Sequence, residues 1–398
     1  MSGLPSVVVT SAVRTPIGRF LGGLSSLPAP ALGAVAVQGA LQRAGVAPGD
    51  VEGVFFGHAR QAGTGPNPAR QVLIRAGIPE SVTAVTINQA CSSGLKAIQL
   101  AADEIRLGRA KVVVAGGMES MSRVPFLMDR MRNGYRLGNA EVVDAMYRDG
   151  FTCGVSGMIM GETAELLAQE RRISRQEQDA FALDSQKKAA AAIAAGRFAD
   201  EIVPVTVEGR KGPETMAADE HPRPDTTLES LGKLPPVFDP KKGTVGAGNS
   251  SGITDGGAAL VLMEEQEAER RGIQPLARFV DSQVSGTDPR RMGLGPVPAT
   301  RVLLERNRWR MDDFELVELN EAFAAQVLAV LQDLPMDRAR LNVNGGAIAL
   351  GHPIGCTGAR IVVTLLHELR RRGARRGLAT LCVSGGLGMS AAFERVGS

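Results

Sequence analysis

The apolar positions of this chain switch between two periods, and they do so in the same order twice. Val82 to Ile87 is a β-branched, Thr-containing run of strand character. From Cys91 onward Leu95, Ile98, Ala102 and Ile105 recur at helical spacing, Gly108 ends the stripe, and Val112, Val113 and Val114 resume as a strand. The spacing predicts a βαβ unit with its helix over 91–107. Near the other end, Ile361, Leu365, Leu366 and Leu369 form a second helical stripe, Gly373 stops it, and Leu378 to Val383 is an apolar strand running into glycines. Cys91 to Lys96 can be laid on Gly355 to Arg360, and Ala115-Gly116-Gly117 falls near Ser384-Gly385-Gly386. A duplicated α/β domain explains both units at once.

Between the two units the character changes. Residues 121–245 hold two charged helical stretches, Gly161 to Glu170 and Ser174 to Arg197, and then a Pro- and charge-rich run from Glu208 to Lys242, a composition suited to a surface insertion. The arginines at 123, 130, 132, 136 and 148 are interleaved with acids and read as a solvated or subunit-contacting face. The expected organisation is a first half of 1–120 with 246–272, an inserted loop-like subdomain of 121–245, and a second half of 273–398.

Composition narrows the function classes. With 398 residues, 44% apolar and 22% charged, the chain can bury a core without metals or disulfides. Its 45 basic and 42 acidic residues leave a net charge of +3, too weak a field to hold nucleic acid or a membrane surface, so an anionic ligand must be met by local groups. The long uncharged stretch Leu21 to Gln42 is broken by Pro28 and Pro30 and is no membrane span. A strand-like Ser6 to Thr10 with no leader before it makes a cytoplasmic location the expectation. Cys91, Cys153, Cys356 and Cys382 are too far apart for a C-x-x-C pair, so no metal site is expected and each thiol is weighed alone.

Cys91 stands where a strand turns into a helix. A thiol in the first turn faces unpaired backbone N–H groups and the positive end of the dipole, which favour thiolate; the competing reading is a buried structural cysteine. Of the four histidines, His221 sits in the charged run and reads as solvated, and His367 lies on the amphipathic helix as a plain helical residue. His352 lies in the uncharged Asn344 to Gly355 stretch, whose glycines let backbone and imidazole approach a bound group. By the duplication it occupies the helix start of the partner unit and could face Cys91, a pairing suited to covalent catalysis. Cys382, at a strand end beside a glycine turn, is a proton donor or acceptor, or a small apolar filler. Cys153 and Cys356 are assigned to packing. Gly248-Asn249-Ser250-Ser251-Gly252 matches the serine-hydrolase G-x-S-x-G, but the glycines and lysines before Ser250 are not the apolar strand that such an elbow needs. Gly386 to Ala391 fits G-x-G-x-x-A without a helix or ribose-binding acid to follow, and there is no Walker A sequence.

Val13-Arg14-Thr15-Pro16-Ile17-Gly18, Asn88 to Gly94, Gly116 to Ser122, Gly248 to Gly256, Asn320-Glu321-Ala322-Phe323-Ala324, Gly345 to Gly358 and Cys382 to Gly388 occur in this order, and on these motifs the chain resembles the thiolases, acyl-CoA C-acyltransferases, over essentially its whole length. The resemblance implies an α/β fold of duplicated α-β-α-β-α layered domains with an inserted loop subdomain. It implies cleavage of a 3-ketoacyl-CoA by CoA to acetyl-CoA and a shortened acyl-CoA, or the reverse condensation, through an acyl-Cys91 intermediate. His352 would take the Cys91 proton, Cys382 would protonate the departing acetyl-CoA carbanion, and Asn320 would hold a water at the enolate. The backbone N–H groups of Cys91 and Ser384 would form the other oxyanion site. No bound cofactor is implied: CoA and acyl-CoA are substrates, with Arg223 near the nucleotide and Ser251 near the pantetheine arm. Segment 123–140 resembles the part that tetrameric members use to assemble, so a homotetramer of paired dimers is expected. Two positions depart from the family: Ser384 replaces the first glycine of a Gly-Gly-Gly run, and Ile159 replaces a histidine of the acetoacetyl-specific members, an exchange expected to make the acyl site more apolar and admit longer or branched chains. A serine hydrolase using Ser250 and a non-catalytic acyl-CoA carrier are the alternatives.

Overall fold

A computed structural model describes residues 4–209 and 212–397; Arg210 and Lys211 of the charged run lie outside the described residues. Nine strands carry the architecture: β1 (Val7–Arg14), β2 (Gly53–Gly57), β3 (Thr83–Ile87), β4 (Val112–Ser120), β5 (Thr254–Glu264), β6 (Ala277–Gly286), β7 (Leu316–Leu319), β8 (Arg376–Val383) and β9 (Leu387–Glu394). Hydrogen bonding runs through them in the order β7-β8-β9-β6-β1-β5-β4-β2-β3, with the antiparallel β1–β6 pair as the seam between two halves. On each side of the seam the pattern is the same: two antiparallel pairs inside and a parallel pair outside, β4 with β2 and β8 with β7. Even the irregularities match, since the register shifts between Val9 and Ser11 in β1 and between Phe279 and Asp281 in β6.

The strands are apolar on both faces because both faces are covered. Val113, Leu260 and Leu262 point to one cluster with Leu95, Ile98, Ile361, Leu365 and Leu381, while Val112, Val114, Val261 and Met263 point the other way, to Val37, Ala40 and Leu41. The first cluster is the central layer, made of helices α2 (Ser93–Arg106) and α5 (Ile354–Arg372) between the two sheet halves. Helix α1 (Ala29–Ala44) covers one outer face, and Val297, Leu303, Val327 and Val330 cover the other. The result is the expected α-β-α-β-α layering. Each large aliphatic side chain buried in these layers contributes roughly 1.5–3 kcal/mol of transfer free energy.

The central helices touch backbone to backbone. A Cβ on Gly94 would stand 2.7 Å from the Ala359 nitrogen, and one on Gly358 would stand 2.4 Å from the Leu95 nitrogen. This reciprocity follows the alignment of Cys91–Lys96 with Gly355–Arg360, and it draws the N-termini of α2 and α5 together. The other proposed equivalence is displaced. Counted from the matched bulges, Ala115-Gly116-Gly117 corresponds to Ala379-Thr380-Leu381, whereas Ser384-Gly385-Gly386 forms the turn between β8 and β9. Glycines mislead here because the two sets serve different needs: a Cβ on Gly116 would meet the Ala258 carbonyl at 2.2 Å across the sheet, while Gly385 and Gly386 adopt positive φ in a turn.

The middle region is more ordered than a loop-like subdomain. It contains helices α3 (Met160–Glu170) and α4 (Arg175–Ala194), near the predicted stretches, and two short hairpins. Helix α4 starts with a capping box, in which Ser174 and Glu177 bond one another's backbone N–H groups. No helix among the described residues is long and apolar enough to cross a membrane.

Candidate active site

The turn from β3 into α2 is locked by its own side chains. Ser93 Oγ donates to the Ala90 carbonyl and accepts the Gln89 N–H, and Asn88 Oδ1 accepts the Ala90 N–H. These bonds hold Ala90 at φ 45°, a left-handed conformation that costs a non-glycine residue about 1–2 kcal/mol. Cys91 follows directly, half-buried, just before α2. Burial pushes its thiol above the ordinary value; the charge of Arg60 and the backbone N–H groups of Ser384 and of Cys91 itself pull the other way. The Ser384 backbone, at the turn after β8, therefore lies near this sulfur.

The approach to α5 is built from farther away. Gly346 N–H donates to Ser185 Oγ, whose hydroxyl donates to Glu321, and Glu321 also accepts the Ile348 N–H and the Asn342 amide. Helix α4 thus anchors the glycine-rich loop from the insertion side. Gly351, at φ 99°, precedes His352, whose N–H donates to the Gly252 carbonyl. The imidazole is 6% exposed. Its Nδ1 lies 2.6 Å from Thr357 Oγ1, and that hydroxyl donates its single proton to the Pro353 carbonyl at 3.0 Å. With its proton on the Pro353 carbonyl, Thr357 accepts from the ring, which is the tautomer with Nδ1 protonated and Nε2 able to accept. Burial, with Arg360 and Arg60 nearby, lowers the imidazole to about 3 and keeps it neutral.

Cys382 is the penultimate residue of β8, buried in an apolar cluster with Met292 and Phe323 against which Met160 and Phe238 pack. Burial and the neighbouring Cys91 drive its thiol far above the ordinary range. Asn320 is 1% exposed, its N–H donates to the Thr380 carbonyl two residues before Cys382, and neither end of its amide has a partner among the described residues. A buried amide is costly without partners, so this one suits a bound polar group. Ser251 N–H donates to the Ala322 carbonyl, which brings it beside the same loop. Ile159 is half-buried at the start of α3, next to Met160. Arg223 stands apart, exposed, in a surface cleft of about 250 Å³ with Gln186, His221, Ser230, Gly248 and Ile348.

Several sequence readings are revised. His221 is not solvated: its Nδ1 contacts the Ala349 carbonyl at 2.8 Å and its ring fills the space that a side chain on Gly252 would need. His367 reaches from the second helix to the Ala12 carbonyl of β1 at 2.8 Å. Ser250 is no elbow nucleophile, since a 3-10 turn precedes it, β5 follows it, and its hydroxyl is spent on the Gly246 carbonyl. Cys356 is buried packing, its thiol pushed up to about 12. Cys153 is buried too, but the Ser156 hydroxyl and the N–H groups of Ser156, Val155 and Gly385 outweigh its burial and hold its thiol below the usual value. Glu119 was missed altogether. This fully buried carboxylate accepts the N–H groups of Ala59, Arg60 and Gly355 and sits 3.1 Å from His58 Nε2, tying the first half to the helix start beside His352.

Comparison with known proteins agrees in every part of the chain. The thiolase N-terminal domain model matches residues 7–266 and the thiolase C-terminal domain model matches residues 273–395. An acetyl-CoA acetyltransferase of Shinella zoogloeoides is 53% identical over 98% of this chain and 99% of its own. The crystal structure of the Bacillus anthracis acetyl-CoA acetyltransferase superposes with a TM-score of 0.97 at 47% identity, covering 100% of both chains. Human mitochondrial 3-ketoacyl-CoA thiolase in complex with CoA gives a TM-score of 0.95 at 42% identity, covering 99% of this chain and 98% of that one.

Proposed function

Because the chain belongs to the thiolase family and is an acyl-CoA C-acyltransferase, we propose that its chemistry is carried by Cys91, His352, Cys382 and Asn320. In the cleavage direction the Cys91 proton passes to His352 Nε2 and the sulfur attacks the 3-keto carbon of a 3-ketoacyl-CoA. The bond between C2 and C3 then breaks, leaving the acyl group on Cys91 and an acetyl-CoA enolate that takes the proton of Cys382. A thiol held neutral by burial is suited to that acid role. In the second half-reaction the CoA thiol gives its proton to the Cys382 thiolate and attacks the acyl carbon, and Cys91 leaves and recovers its proton from His352. The oxyanion on the acylated cysteine meets the N–H groups of Cys91 and Ser384, whose side chain leaves its amide free to donate. The orphaned Asn320 amide serves the enolate through a water.

The observation that carries this reading is the His352–Thr357–Pro353 chain, which fixes a neutral imidazole with Nε2 free. CoA enters as substrate, with Arg223 and Ser251 along its path. Ile159, next in sequence to Met160 of the apolar Cys382 cluster, favours acyl chains longer than acetoacetyl. The exposed Phe126, Met131, Leu137 and Tyr147 support assembly into a homotetramer through the insertion. The test is CoA-dependent loss of acetoacetyl-CoA and of an eight-carbon 3-ketoacyl-CoA by wild type and Cys91→Ala. Loss in the wild type alone supports the scheme, wild-type turnover by Cys91→Ala overturns it, and equal or better use of acetoacetyl-CoA overturns the Ile159 reading.

A further inference from the structure

We propose that His221 is a positioning residue for His352: its Nδ1 proton completes the backbone hydrogen bonding of the turn that aims the base, and so ties that turn to the wall of the Arg223 cleft. The inference rests on His352 being the base. His352 follows a single helical turn, Ala347–Leu350, and the end of that turn is short of donors. In a helix the carbonyl of one residue takes the N–H of the residue four further on. The Ala347 carbonyl keeps that partner, the Gly351 N–H at 2.9 Å. For Ile348 the donor would be His352, whose N–H goes instead to the Gly252 carbonyl at 3.0 Å. For Ala349 it would be Pro353, which has no N–H to give. The side chains from Gly345 to Gly351 are all apolar or absent, so the loop cannot supply either donor itself.

Both donors come from the insertion. Gln186 of α4 donates from Nε2 to the Ile348 carbonyl at 3.4 Å, and His221 Nδ1 stands 2.8 Å from the Ala349 carbonyl. A carbonyl only accepts, so this contact places a proton on Nδ1. The far side of the ring lies against Gly252, where a Cβ would stand 1.9 Å from Nε2. His221 thus touches both backbone segments that fix His352, the turn before it and the residue whose carbonyl holds its N–H. The same stretch of chain also faces outward. Gln186 Oε1 accepts the Arg223 N–H at 2.9 Å, and Gln186, His221, Arg223 and Ile348 line one cleft. Ala349 is fully buried, so its carbonyl has no water to replace a lost donor, and the turn must shift to find one. A shift there is carried three residues on to the imidazole. A cap that served only the fold would change stability and leave turnover alone, whereas one that aims the base must act on kcat, and only while His352 is present.

The experiment is steady-state cleavage of a 3-ketoacyl-CoA by His221→Leu and His221→Asn, each made in the wild type and in His352→Gln. Leucine and asparagine have nearly the same shape, and only the amide can donate to the Ala349 carbonyl. In the wild type, His221→Leu is expected to lower kcat about tenfold with KM for CoA changed less than about twofold, and His221→Asn is expected to restore most of that loss. On His352→Gln neither substitution is expected to lower the residual kcat further, because a residue that acts through the base has nothing left to act on. Equal fractional losses in the two backgrounds would overturn the proposal, as would His221→Asn as slow as His221→Leu, or a raised KM with unchanged kcat. A His352→Gln enzyme that turns over as fast as wild type would instead remove the reading of the base on which it rests.

Discussion

Cys91 and His352 precede corresponding helices in two copies of one strand–turn–helix unit, and the copies are built differently. In the first, β3 pairs with β2 over five residues and the chain enters α2 almost at once. In the second, the place of β3 is held by a single bridge between Val317 and Leu341, and an uncharged loop leads to α5. Both put a residue of positive φ immediately before the functional side chain, Ala90 at 45° and Gly351 at 99°. Both side chains then meet the positive end of a helix, with opposite consequences: that field favours a charged thiolate but a neutral imidazole. One electrostatic setting, used twice, suits the proposed nucleophile and its proposed base. The matched registers also align Cys382 with Met118 and Asn320 with Gly57, so three of the four groups proposed to react come from the second half.

The largest effect should come from removing the base. His352→Gln is expected to lower kcat by about 10²–10⁴-fold with little change in stability, measured by steady-state cleavage of a 3-ketoacyl-CoA. A loss under tenfold would break the pairing of the two helix starts. Next is the backbone crossing that brings them together: Gly358→Val should cost about 3 kcal/mol or more in urea unfolding, because the Leu95 backbone cannot retreat without moving α2. Gly94→Val should cost a similar amount. If only one of the two is destabilising, the crossing is not reciprocal.

The halves also differ where Phe55 of β2 corresponds to Glu318 of β7, opposite Ala115 and Ala379 respectively. Burial pushes Glu318 up to about 8, with Arg360 only partly offsetting it. Between the ordinary carboxylate range and pH 8 the folded state therefore binds the proton more tightly than the unfolded one, and stability must fall as pH rises through that window. Glu318→Gln should flatten this dependence, gaining on the order of 1–3 kcal/mol on wild type at pH 8 relative to pH 5. Parallel curves would show that Glu318 is already ionised at pH 5. Thr357→Val tests the smaller asymmetry, since the corresponding hydroxyl of α2, Ser93, bonds the Ala90 carbonyl and the Gln89 N–H, whereas that of Thr357 meets the His352 imidazole. Leaving the Nδ1 proton without an acceptor should cost about 1–3 kcal/mol, read as a ten- to hundredfold loss of kcat at unchanged KM.

Much of this architecture was legible in the sequence because it is local or periodic. The helical stripes, the stopping glycines and the Cys91 turn each fit within one window, and the likeness of Cys91–Lys96 to Gly355–Arg360 predicted the helix pairing that Gly94 and Gly358 make. Glu119 and Glu321 were not legible, because their meaning lies in partners such as Gly355 and Ser185, far along the chain. The misplaced Ala115–Gly117 equivalence has a related cause: glycine records close approach or positive φ without saying which. His221 looked solvated because its neighbours in sequence are charged, whereas its neighbours in space are Gly252 and Ala349.

The smallest effect is expected at the residue that distinguishes the two turns most directly. The second turn uses glycine at its positive φ, and there a side chain is excluded in any case, since a Cβ on Gly351 would stand 2.4 Å from Thr254. The first turn uses alanine, held at φ 45° by bonds from Asn88 and Ser93. Ala90→Gly removes the steric cost of that conformation but adds freedom to the unfolded chain, so the net change should be a stabilisation of at most about 1 kcal/mol, read from the urea midpoint. If the bonds alone position Cys91, kcat will not change. If the alanine Cβ narrows the turn that aims the sulfur at the Ser384 N–H, Ala90→Gly should lower kcat a few-fold while the midpoint rises, and that opposite movement would mark the strain as part of the site rather than a leftover of the fold.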